Sequence, residues 1–261
     1  MAEGDSTKRS RLDADNVTTI LREQGAANLR SEAELELVLD GMELRRPGAH
    51  EQEYLMPVKA LDGSLVNGYR SFNVLGMGQE ARGLLYHKLI SSNTPDFSSE
   101  NVEIKAAINQ TEQALVSFEG AKTWAIDMGF DNDDVWWEIW NHPHSHMVNR
   151  VYHMERIVEW QAASGKWEER YLDATFQYLK HLATIETELE VRLQGQKYAK
   201  RQTVTVELSA VPIRVYHPED KSQTKPVWLV RAKVTGAVGK PWYLLTDWPV
   251  NDADSAMRIF R

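Results

Sequence analysis

Three strand-like runs in succession, followed by alternating helix and strand, constrain this chain more than any other feature of its sequence. The first run, LELVLDG, is short and apolar and stops at Asp40 and Gly41, as a buried strand does. GYRSFNVLGMG and GLLYHKLISS read as two more strands, separated by a glycine-bounded turn around Gly78–Gly83. After the loop SNTPDFSSEN, the segment VEIKAAINQTEQALVSF keeps helical spacing through Ile104, Ile108, Ala114, Leu115 and Phe118. TWAIDMGFD is again a short buried strand ending in acids. The helix DDVWWEIWNH and one further strand, HMVNRVYHMERIVEW, come next. A three-strand meander followed by alternating α and β predicts a mixed sheet with helices packed on it.

The flanks are less regular. Residues 1–16 are charged and small and read as a frayed tail. Asn16 is placed to cap a short helix running to about Ala33. Residues 45–64 are loop-like, punctuated by Pro47, Gly48, Pro57 and Gly63. From Gln161 the texture shifts. LDATFQYLKHLATI has the spacing of one amphipathic helix, and ELEVRLQ, TVTVELSAVPIRVYH, PVWLVRAKV and PWYLLTDW read as strands. Pro212 within the longest of these predicts an edge or a bulge, and Ala237–Gly239 marks a hairpin turn. NDADSAMRIFR begins a capped helix that runs for barely two turns.

Composition narrows the class of protein. With 38 acids against 30 bases the net charge is −8, which argues against a passive nucleic-acid coat protein but not against an enzyme that meets DNA through local basic patches. There is no cysteine, so disulfide scaffolds and thiolate metal sites are excluded. No apolar run approaches the roughly 20 residues of a membrane span. The polar start MAEGDSTKRSRLDADN is no signal peptide. A reducing cytoplasm is the expected compartment.

Two acids carry the chemistry: Asp40 in ELVLDG and Asp127 in TWAIDMGFD, each at the end of a short apolar strand. On adjacent strands of one sheet their carboxylates converge at its C-terminal edge, a donor set suited to Mg²⁺ or Mn²⁺. Two such ions about 3.5–4 Å apart can drive in-line displacement at phosphorus. Strand-ending Asp residues also serve simply as turn formers and caps. Arg45 and Arg46 follow Asp40, and Lys197, Lys200 and Arg201 form a second basic cluster; both can meet phosphates, while solvated charge is the plainer reading of the second. His142, His144, His146 and His153 are the only histidine cluster, more in keeping with an exposed helix–strand connection than with a Zn²⁺ site. Trp136 and Trp140 share a helical face and read as core. Asp131, Asp133 and Asp134 read as caps of the helix after Asp127.

The blocks LVLDGMELRRP, ALDGSLVNGYRSFNVLGMG, GLLYHKLISS, WAIDMGFD and PWYLLTDWPVNDADSAMRIFR, in this order, resemble the DDE transposases of bacterial insertion sequences, and among them the insertion-sequence-four group. The resemblance runs from about Leu37 to Arg261. It implies an α/β, ribonuclease-H-like mixed sheet with flanking helices and a β-rich insertion. The implied divisions are a tail and short helix (1–34), the catalytic core (35–160), the insertion (161–247) and the start of the C-terminal catalytic helix (248–261). Asp40 matches the first catalytic acid and Asp127 the second. Trp242 matches an aromatic position that in relatives holds a base flipped from the transposon end. The third acid of the family, a Glu in a Tyr–Arg–Glu–Lys signature, would fall beyond Arg261, so the resemblance implies a chain truncated before it. Met128 stands where the family often has Arg, and Glu43 where it often has Asp.

The resemblance implies an enzyme that cuts and joins DNA at transposon ends by two-metal phosphoryl transfer, here as an inactive fragment. Its partners would be transposon-end and target DNA and, in a complete protein, a second copy. Two rivals stand beside this reading. One is a non-catalytic DNA-binding remnant, favoured by the missing Glu. The other is a metal-dependent nuclease of the same fold, for which a β-rich segment holding Trp242 has no use.

Overall fold

The computed structural model describes residues 14–260. Helix α1 (Ala14–Leu29) precedes the strands β1 (Glu34–Arg45), β2 (Met56–Lys59), β3 (Leu65–Met77) and β4 (Arg82–Ile90). Helix α2 (Glu100–Ala114), β5 (Ala121–Ile126), helix α3 (Asp133–Trp140) and β6 (Ser145–Arg150) alternate after them. The rest is strand-rich: β7 (Ile157–Gln161), β8 (Trp167–Tyr171), β9 (Lys180–Val191), β10 (Lys200–Tyr216), β11 (Thr224–Val234) and β12 (Trp242–Thr246), closed by helix α4 (Ala253–Phe260). The fold is mixed α/β, with one large sheet and few helices. The frayed tail expected over 1–16 lies, up to residue 13, outside the described residues. Asn16 sits inside the first turn of α1 rather than capping it.

All twelve strands among the described residues join one sheet. Its main order is β2-β3-β1-β5-β6-β12-β11-β10-β7-β8, with β4 also on β3 and β9 also on β10. The first five full strands therefore lie in the order β4-β3-β1-β5-β6. Only the pairs β1–β5 and β5–β6 are parallel; the meander β1–β3–β4 is antiparallel. The β-rich stretch extends the same sheet, because β12 pairs antiparallel with β6.

Alternation along the strands builds two cores on opposite faces. Leu35, Leu37 and Leu39 of β1 and Trp124 and Ile126 of β5 turn to one face, where α2 and α3 cover them with Ile104, Ile108, Val135, Trp136 and Ile139. Ser99 caps α2, its hydroxyl accepting from the Val102 N–H at 3.3 Å. The other face is covered by α4, which buries Ala256, Ile259 and Phe260 against Val206, Leu208, Val230 and Leu244. The 17-residue strand β10 serves both faces. Val204, Val206, Leu208 and Ala210 lie under α4, and Val211, Ile213 and Val215 join the first core.

Three expectations are corrected. LDATFQYLKHLATI is not a helix: a short 3₁₀ turn over Asp173–Tyr178 gives way to β9, whose backbone is satisfied by a ladder to β10 from Lys180↔Ala210 to Val191↔Lys200. Long-range pairing thus overrides local spacing. The run HMVNRVYHMERIVEW divides into β6 and β7, which lie at different places in the sheet. Pro212 is neither on an outer edge nor at the bulge. It pairs with Trp228 on one side; on the other it falls between the end of β9 (at Ala210) and the start of β7 pairing (at Ile213), where no ladder needs an N–H.

Candidate active site

The register of five strands sets a polar row across the face opposite the first core. Leu39 pairs with Ile126 in the parallel β1–β5 ladder, so the next residues, Asp40 and Asp127, stand side by side at the C-terminal ends of the pairing. Ile126 pairs with Asn149, which brings Arg150 beside Asp127. On the other flank Asp40 pairs with Asn73, and Asn73 with His87. The row is His87, Asn73, Asp40, Asp127, Arg150. Leu39 and Ile126 point into the core, so Asp40 and Asp127 share the opposite face. His87 Nδ1 lies 2.7 Å from Asn73 Oδ1, and Asn73 Nδ2 donates to the Ser71 hydroxyl at 3.0 Å. Asp127 is 64% exposed, with Arg150 Nη1 at 3.9 Å from its Oδ1. Its lone pairs are open to a ligand.

The chain after Asp127 is tightly held. The Phe130 N–H donates to the Asp127 carbonyl, forming a single 3₁₀ turn over Met128–Phe130. Asn132, not an acid, caps α3 by accepting from the Asp134 N–H at 2.9 Å. Asp131 was expected as a cap; it is buried instead. It accepts from Asn149 Nδ2, from the Tyr152 and His153 N–H groups and from Arg156 Nη1, at 2.6–3.1 Å. Arg156 also pairs with Asp133 at 2.7 Å and lies over the Trp136 ring, 4.1 Å from its centroid. Burial pushes the Asp133 carboxyl up from its ordinary value, and Arg156 offsets this in part. This network anchors the loop that follows Asp127 to the segment after β6.

Beside the row a groove of about 790 Å³ runs between β1, β5 and β6 and helix α4. Its floor includes Thr123, Ala125 and Val148, and its far wall Trp242, Leu244, Ile259 and Phe260. Glu34 of β1 and Arg258 of α4 form an ion pair across it, and Arg258 also lies over Trp248 at 4.8 Å. Trp242 and Leu244 face this groove, while Tyr243 turns to the other core and stacks on Phe176 at 4.1 Å. Trp242 is half-buried, tilted against Phe260, with the Arg150 guanidinium 5.4 Å from its ring centroid. Arg150 thus stands between an acid and an aromatic ring.

Other expected residues lie apart from this row. Arg45, the last residue of β1, and Arg46 just past it follow Asp40 by five and six residues, about 16–20 Å along an extended chain. Arg45 donates to the Lys59 carbonyl at 2.6 Å and to Glu43 at 3.4 Å. Lys197, Lys200 and Arg201 sit at the β9–β10 turn, with Lys197 over Tyr198 and Arg201 paired to Glu188 at 3.2 Å. They do not line the groove. The histidines are dispersed: His142 meets Asn109, His153 meets Glu155, and His146 bonds Asp247 at 2.8 Å while stacking on Trp248. Trp136 is fully buried, as its helical spacing predicts. Among the described residues no three His, Asp or Glu side chains are grouped to hold a metal ion. The two exposed carboxylates are hard oxygen donors that fit one divalent cation completed by water or phosphate oxygens. Sequence reasoning missed Arg150, Asn73 and His87, because only strand register aligns them with the acids.

No protein-family model matches this chain, and no curated protein matches it. Among solved structures it is similar to a piggyBac transposase, seen by cryo-electron microscopy in a synaptic complex with hairpin DNA. The sequence identity is 10% and the TM-score 0.40, over 95% of this chain and 45% of that one. The chain spans less than half the length of that transposase.

Proposed function

We propose that this chain acts in DNA transposition, on a ribonuclease-H-like core, with Asp40 and Asp127 as ligands of Mg²⁺ or Mn²⁺. The observation that carries the reading is the side-by-side placement of these acids at the ends of parallel strands, with Arg150 linking Asp127 to the neighbouring groove that holds Trp242. The strand order β4-β3-β1-β5-β6, with an antiparallel meander followed by two parallel strands, supports the ribonuclease-H-like assignment. A divalent ion supplies charge neutralisation at a phosphodiester and an activated water or hydroxyl nucleophile when bound. The chain's own part is to hold that ion through Asp40 and Asp127 and to grip the phosphate with the Arg150 guanidinium. The Trp242 ring receives a base freed from the duplex. Arg45, Arg46, Lys197, Lys200 and Arg201 are proposed as more distant backbone contacts, and a second copy as a partner.

The second reading, a DNA-binding protein without chemistry, is favoured by one observation: among the described residues no third ligand stands with the two acids. Titration with Mn²⁺ and a nicking assay on supercoiled and linear DNA separate the two. We expect weak Mn²⁺ binding that Asp127→Ala abolishes, which the first reading requires and the second does not, with negligible cleavage by the chain alone. Metal-dependent nicking that Asp40→Ala and Asp127→Ala both remove would establish the catalytic reading. Metal binding unaffected by either substitution would sink the site.

A further inference from the structure

Trp242 is a partition between two concavities. On one side lies the groove with Arg150; on the other, a smaller hollow of about 380 Å³ lies between the β9–β10 and β11–β12 turns. Arg192, Lys233 and Lys240 line this hollow, with Glu190 as its one acid. Lys233 is shared with Glu207 at 3.5 Å, whereas neither Arg192 nor Lys240 is ion-paired among the described residues. In a chain of net charge −8 this is a local positive excess. The rim is built rather than loose. The Gln194 N–H donates to the Gly236 carbonyl and the Val238 N–H to the Arg192 carbonyl, both at 2.8 Å, and Leu193 bridges Ala237. Gly236 and Gly239 have φ of 72° and 127°, a backbone that residues with side chains rarely adopt, so the β11–β12 turn keeps its shape only with glycine there.

We propose that this hollow binds the sugar-phosphate backbone of a single DNA strand. The strand runs past Trp242 from the Arg150 side, with Arg192 and Lys240 as its phosphate contacts. The inference rests on DNA being the partner, as proposed above. Cations on both sides of an aromatic ring match what a single strand presents, charged phosphates alternating with flat bases that have no sequence-specific demand on the ring. A blunt duplex keeps its bases paired and stacked inside and offers the ring none of them.

Anisotropy of a labelled single-stranded oligonucleotide of about ten nucleotides, measured in EDTA across a salt series, tests this. The joint substitution Arg192→Ala with Lys240→Ala should weaken binding roughly tenfold at low salt and flatten the log–log salt slope by about 1.4, two phosphate contacts' worth. Arg192→Gln with Lys240→Gln serves in its place should the alanine pair not fold. A charge-matched control, Lys166→Ala with Lys221→Ala, should leave affinity and slope nearly unchanged; both lysines are exposed on other turns. Unchanged affinity in the test pair, an equal loss in the control, or a blunt duplex bound as tightly as the single strand would each overturn the proposal. So would a mononucleotide that competes as well as the oligonucleotide. Because binding is read in EDTA, it draws on no metal held by the acid pair. A failure of metal-dependent chemistry therefore leaves this site standing, and loss of strand binding leaves the acid pair untouched.

Discussion

Lys122→Met probes the strand that carries Asp127. Lys122 Nζ lies 2.7 Å from Glu112 Oε2, and each side chain is only 4% exposed. The other carboxylate oxygen accepts from Trp124 Nε1 at 2.9 Å and from the Ser145 hydroxyl at 2.7 Å. One glutamate on α2 thus ties together β5 and β6. Removing the lysine leaves a carboxylate buried beside two neutral donors, a change that typically costs about 3–5 kcal/mol. For a chain of this size each kcal/mol shifts the melting temperature by about 2–4 °C, so Lys122→Met should melt roughly 6–20 °C lower. Adding Glu112→Gln keeps an oxygen for Trp124 and Ser145 while removing the stranded charge. The double variant should recover about 2 kcal/mol of the loss. Urea unfolding followed by tryptophan fluorescence and by circular dichroism gives both numbers. A Lys122→Met cost below about 1 kcal/mol, or a double variant no more stable than the single, would refute the argument that charge burial dominates here.

Three further outcomes follow from the same structure. Trp242→Ala should cost less stability than the roughly 3–5 kcal/mol of a core tryptophan, because the ring is half-buried, yet weaken single-strand binding by about 1–3 kcal/mol; a large drop in melting temperature with unchanged affinity would return Trp242 to the core. Asp133 is raised by burial above its unfolded value of 3.8, so its charged form opposes folding at neutral pH and that opposition fades as pH falls through the carboxylate range. Asp133→Asn should therefore stabilise the chain at neutral pH and lose its advantage in acid, and an advantage that does not vary with pH would show another origin. Gly25→Ala would place a Cβ 2.3 Å from the Leu84 carbonyl oxygen, so α1 must lift from β4; the expected cost is about 1–3 kcal/mol, read from chemical denaturation, and a neutral result would mean the helix moves freely.

Local sequence determined the elements whose patterns close over short range. The two apolar runs ending at Asp40 and Asp127, the helix that follows SNTPDFSSEN and the Trp136 face were legible because side-chain period acts within a few residues. So was the opposed facing of Trp242 and Tyr243, which follows from alternation alone. The helical reading of LDATFQYLKHLATI went astray because β9 is held by β10, a partner whose pairing no local period reveals. Asp131 carries the same lesson. An acid before a helix looks like a cap, yet its donors come from residues 149–156, brought to it only by the return of β6. The acids could be read from sequence, but their neighbours Arg150, Asn73 and His87 could not. What aligns those five side chains is the register of four separate ladders, and register is set by burying one face of every strand at once. Sequence supplied the acids, and tertiary pairing decided what stands beside them.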